Sequence, residues 1–205
     1  MSEAKEQRQQ RAEAALENPE ILNALVEALE GASRRNRQAA AAVLSEVAAR
    51  RPDALVEHAS AIVDALNRPE AQTRWEALDV LTALVALDSR SCDKAIAGAE
   101  SALFDEDSGP LRLAAMRFLC RLGATTENRG QKVWPLIDEA IQCYHGDIEF
   151  QDMLVAVVGF ADGRLAPEVR AALAERMAFD AKNGRGMLKK RAQAILDALG
   201  ADADR

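Results

Sequence analysis

The stretch Arg74-Trp-Glu-Ala77-Leu-Asp-Val80-Leu81-Thr-Ala-Leu84 decides how the chain is read. Counting +3, +6, +7 and +10 from Arg74 gives Ala77, Val80, Leu81 and Leu84, one apolar face of a helix. The same register opens at Arg37, Arg112, Gln151 and Lys189, so the intervals along the chain are 37, 38, 39 and 38 residues. It yields Ala40, Val43, Leu44, Val47; Ala115, Phe118, Leu119, Leu122; Leu154, Val157, Val158, Ala161; and Ala192, Ile195, Leu196, Leu199. In a chain that is 49% hydrophobic, five such segments without one polar interruption would arise by chance on the order of once in a million. The register therefore marks a repeat.

A second set of stripes precedes these segments: Leu22, Leu25, Val26, Leu29; Ala59, Ile62, Val63, Leu66; Ile96, Ala99, Leu103; Ile137, Ala140, Ile141, Tyr144; and Val169, Leu173, Met177. Their i, i+3, i+4, i+7 spacing, whole or in part, predicts a first helix in each repeat. Polar breaks rich in Gly, Pro and Asp separate the two helices, among them Gly31-Ala-Ser33, Asn67-Arg-Pro69 and Asp105 to Pro110, with Ser33 and Ser108 placed to cap the second helix. Aromatic residues are only 4% of the chain, so the core is built from Leu, Val, Ile and Ala, and no segment reads as a strand. The repeats fall at approximately 19–51, 52–88, 92–123, 132–162 and 165–199 in one array, 19–199. Residues 1–18, whose apolar face is only Ala12, Ala15 and Leu16, are expected as a cap helix or frayed arm, and 200–205 as a disordered tail. Gly123 to Lys132 is expected to be the longest irregular connection.

The segments Arg37-Gln-Ala-Ala40, Arg74-Trp-Glu-Ala77 and Arg112-Leu-Ala-Ala115, with Pro69 and Pro110 in the breaks before them, resemble the HEAT-repeat family of helical solenoids. The resemblance covers about residues 19–199, with Lys189-Lys-Arg-Ala192 in the last repeat and a departure in the fourth, where Gln151 and Leu154 replace Arg and Ala. It implies an all-α, right-handed superhelix of about five helix pairs that binds a protein or peptide on a concave surface lined by the second helices. The Asp that the family sets before its Arg is not regularly present, since position −6 holds Gly31, Arg68 and Glu106. A regular Asp–Arg ladder between repeats is thus not expected.

On a helical wheel, offsets +1, +5 and +8 point away from the core face. They bring Trp75, Asp79, Leu113, Arg117 and Lys190 to the expected groove. Trp75 and Leu113 either cover the seam between repeats or form an apolar anchor for a partner, and Trp is the residue most enriched in such anchors. Arg37, Arg74, Arg112 and Lys190 form a basic strip at the second-helix openings, where the helix dipole disfavours cations. The strip is either a solvated edge or a site for an acidic segment or nucleic acid.

Composition limits the alternatives. Net charge is −7, which argues against a surface that tracks a phosphate backbone, so nucleic-acid binding or DNA repair is the second reading. Trp75 and Asp79 at i, i+4 are similar to the aromatic-plus-carboxylate pair of HEAT-like alkylpurine DNA glycosylases, without the strongly basic surface those proteins need. HEAT-like deoxyhypusine hydroxylases bind iron through repeated His-Glu pairs, whereas this chain has two histidines, His58 and His145, and no such pair. No catalytic residue, metal site or cofactor is expected, and the chain is read as a non-enzymatic adaptor or scaffold. Cys92, Cys120 and Cys143 are odd in number and lack C-x-x-C spacing, which predicts buried or half-buried free thiols. The absence of an apolar leader or of a run of about 18 apolar residues points to a cytoplasmic protein without a membrane partner.

Overall fold

A computed structural model describes residues 3–201, and among these every regular element is helical. Of the tail expected to be disordered at 200–205, Gly200 and Ala201 instead end the last helix, and residues 202–205 lie outside the described residues. The chain forms two compact units, Met1–Ala102 and Leu103–Arg205.

The first unit holds α1 (Glu3–Glu17), α2 (Pro19–Ala28), α3 (Arg34–Arg50), α4 (Ala59–Asp64), α5 (Ala71–Cys92) and all but the last residue of α6 (Ile96–Leu103). Local chemistry sets the helix starts. Asn18 Oδ1 accepts the Glu20 amide at 2.8 Å with Pro19 in the first turn of α2, and Ser33 Oγ accepts the Asn36 amide at 3.3 Å to cap α3. The break expected near 88–92 is a kink inside α5: Asp88 leaves helical geometry (φ −145°, ψ 71°), and its Oδ1 accepts the Ser91 amide at 3.1 Å. The side chain thus caps a new helical start within the element. α3 packs on α2 and α5, and α1 lies against α3 and α2 through Ala12 and Ala15, both buried.

The second unit holds α7 (Gly109–Gly123), α8 (Glu127–Cys143), α9 (Phe150–Ala161), α10 (Pro167–Asn183) and α11 (Gly186–Ala201). Ser108 caps α7 through the Leu111 amide at 3.3 Å, with Pro110 in the first turn. The irregular connection expected from Gly123 to Lys132 is largely helical. Thr126 Oγ1 accepts the Arg129 amide at 3.3 Å and starts α8 at once, so only residues 124–126 separate α7 from α8. A run of Thr, Asn and Gly reads as loop, yet one capping hydroxyl is enough to begin a helix there. At the corner between α9 and α10 the Arg164 amide donates to the Ala124 carbonyl at 2.9 Å, and a Cβ on Gly163 would stand 2.6 Å from that same oxygen. Only glycine allows this approach.

The apolar register predicts burial closely. Every one of its positions is buried except Val158 and Leu196, which are half-buried. Burial also extends to flanks that a wheel drawn for one helix leaves open, for example Leu78, Met116 and Ala114, because second helices are lined on their sides as well as beneath. Two thiols sit in this core. Cys92 and Cys120 are buried while Cys143 is exposed, which corrects the expectation for Cys143. Burial pushes the Cys120 thiol up, leaving it protonated and inert.

Candidate functional site

In the first unit, α3 and α5 present the predicted offsets on their accessible sides. Trp75 and Asp79 lie one turn apart on α5 and are both half-buried, as are Gln38 and Ser45 of α3 and Thr82 of α5. Thr82 Oγ1 donates to the Leu78 carbonyl at 2.7 Å, so its hydroxyl is turned back on its own helix. Ala42, at the same kind of offset, is buried. The first turns of α1 reach this region, and Arg8 Nη1 stands 3.9 Å from Glu76 Oε1 of α5.

In the second unit, Leu113 is half-buried and Arg117 exposed one turn further along α7, whereas Cys120, at the next groove offset, is buried. Lys190 is exposed in the first turns of α11, and the corresponding residue of α9, Asp152, is exposed with the opposite charge.

The arginines of the predicted basic strip are engaged inside the fold. Arg37 is 9% exposed; its Nη1 donates to the carbonyls of Gly31 (2.7 Å) and Ala32 (3.0 Å), which closes the turn before α3. Its Nε donates to Glu70 Oε2 at 3.2 Å and its Nη2 to Glu70 Oε1, a two-pronged pair with a residue just ahead of α5. The guanidinium holds the Glu70 carboxyl below its ordinary range, against the opposing effect of burial. Arg112 repeats the arrangement in the second unit. Its Nη1 donates to the carbonyls of Asp105 (3.0 Å) and Glu106 (3.4 Å), and its Nη2 lies 3.7 Å from Asp147 and 3.9 Å from Glu149. The guanidinium also stands 5.0 Å from the centroid of the Tyr144 ring, whose hydroxyl donates to the Leu103 carbonyl at 2.8 Å. Arg74 Nη2 donates to Ser101 Oγ at 3.2 Å.

An arginine–acid pairing between successive repeats is therefore present once in each unit, with its acids in an unexpected place. The arginine of one repeat is answered from the next repeat, by Glu70 four residues ahead of Arg74 and by Asp147 four residues ahead of Gln151. The sequence carries this signal at position −4 of the register, not at −6. Sequence reasoning also passed over Phe179 of α10, which lies outside the Val169, Leu173, Met177 stripe and is 72% exposed. With Trp134 of α8 it borders a hollow of about 450 Å³ around the Arg176–Asp138 pair, whose two contacts measure 2.6 and 3.0 Å.

Among the described residues no helix is long and apolar enough to cross a membrane, and no three His, Cys, Asp or Glu side chains are grouped to hold a metal ion.

No protein-family model matches the chain, and no curated protein matches it. Solved structures do. A designed armadillo repeat protein in complex with the peptide (KR)4 superposes with a TM-score of 0.77 at 18% identity, over 95% of this chain and 90% of that one. Computationally designed armadillo repeat proteins for modular peptide recognition give a TM-score of 0.74 at 19% identity, over 94% and 90%. A further engineered protein gives 0.74 at 16% identity, over 96% and 91%. The resemblance to HEAT repeats is thus met by armadillo-type neighbours, whose repeats are also built of stacked helices. The chain has an all-helical, armadillo-like repeat fold.

Proposed function

We propose that the protein is a non-enzymatic interaction module that takes a protein or peptide partner on the accessible side of its second helices. The observation that carries this reading is Trp75. It is a large amphipathic side chain left half-buried on α5 beside polar groups, at an offset that the apolar register does not need. Two of the similar structures are named for a bound peptide or for peptide recognition, which supports the same class of partner here. In the second unit, taken by itself, Leu113 and Arg117 of α7 and Lys190 of α11 are the corresponding candidates, whereas the engagement of Arg37 and Arg112 with internal carboxylates leaves them to hold the fold.

A pull-down from the native host with the wild type and with Trp75→Ala at matched folded fraction tests the proposal. A partner lost by the variant supports it, and a partner retained in full contradicts it.

A further inference from the structure

The first unit contains a cavity of about 290 Å³ where α1 crosses α3, and no acidic side chain lines it. Arg8 and Arg11 of α1 enter it from one side and Arg35 of α3 from the other. The carboxamides of Gln7, Gln38 and Gln72 complete its polar rim, and Ala39, Ala42 and Val43 form an apolar floor. Among the described residues Arg11 and Arg35, both exposed, make no hydrogen bond or ion pair, and Arg8 Nη1 lies 3.9 Å from Glu76 Oε1, at the limit of ion-pair range.

This arrangement works against the docking that creates it. α1 is held to α3 by a thin apolar face centred on Ala12 and Ala15 and by the Arg50–Glu13 pair (2.9 Å), yet around the cavity the seam gathers only cations. Arg35 also stands in the first turn of α3, where the helix dipole disfavours positive charge. Both effects reverse when an anion enters. A single carboxylate would neutralise one of three guanidinium groups; a phosphate group brings a charge of about −1.5 to −2 and three acceptor oxygens that guanidinium forks can share. Ala39, Ala42 and Val43 are the apolar surface that the carbon group of a phosphate ester would meet there.

We propose that the cavity between α1 and α3 binds a phosphate group through Arg8, Arg11 and Arg35, and that this ligand fastens α1 to the array. The cavity borders the second-helix face that carries Trp75, through Gln38 and Ala42, but Trp75 does not line it, and Trp75→Ala leaves its three arginines in place.

The test titrates the full chain with inorganic phosphate and with phenyl phosphate at constant ionic strength, against sodium chloride, while hydrogen exchange reports the amides of α1. Saturable binding with slower exchange in α1 is expected, weakened at least about tenfold in Arg11→Gln and in Arg35→Gln, both surface changes that leave the core untouched. Tighter binding of phenyl phosphate would identify a phosphorylated molecule as the source, and equal affinity the free ion. No saturation beyond the chloride control, or wild-type affinity in the Arg11→Gln/Arg35→Gln double variant, would overturn the proposal.

Discussion

At the scale of single residues, the pair between Arg37 and Glu70 shows how the same side chain can look like a binding group in the sequence and prove to be a structural one. Arg37 closes its own turn through the Gly31 and Ala32 carbonyls and clamps the carboxylate that precedes α5. Because the folded-state carboxyl of Glu70 lies below its ordinary value near 4.5, the pair adds stability above that pH and loses it as pH falls through the lower folded-state value. Glu70→Gln should therefore melt below the wild type near neutrality, because it leaves Arg37 buried without its counter-charge. The fall in Tm from about pH 6 to about pH 3 should be smaller in the variant. Parallel acid profiles for the two proteins would show that the pair does not stabilise the fold. The sequence concealed this partnership because its two members lie 33 residues apart, and only the stacking of one repeat on the next brings them together.

At the scale of elements, the second helices were legible from the apolar register, and the first from their own stripes, since a repeat that buries its face against neighbours must keep the same spacing each time. Leu81 and Leu119, both wholly buried, occupy the same register position in the two units. Leu81→Asp and Leu119→Asp should each cost more than about 4 kcal/mol or prevent folding, because each places an unpaired charge in a packed seam. Arg35→Asp, on an exposed position, should cost little. Near-equal melting temperatures for all three would mean that the register is wrong. Less was legible where one helix alone does not decide the outcome. Cys120 lies at a groove offset and is buried because flanking helices cover a wider arc than a single wheel predicts, and the Thr126 cap turns an apparently irregular run into the start of α8. Of the candidate site, the faces of Trp75, Asp79 and Arg117 followed from spacing, whereas the engagement of Arg37 and Arg112 did not.

At the scale of the whole molecule, a net charge of −7 and a basic strip largely tied to internal partners favour a protein or peptide ligand over nucleic acid. Short duplex and single-stranded DNA should accordingly show no affinity even at low salt; binding with a steep negative dependence on salt would reinstate the nucleic-acid reading. The armadillo-like fold repeats its second helices, and the accessible side of α5 is where a partner is proposed to sit, with Trp75 as its apolar anchor. The most direct measurement is a paired one, the change in partner affinity and the change in folding free energy for Trp75→Ala. A loss of about 2 kcal/mol or more in binding with little change in stability is expected. Lower stability with unaltered binding, once the folded fraction is corrected, would contradict it and make Trp75 a seam residue.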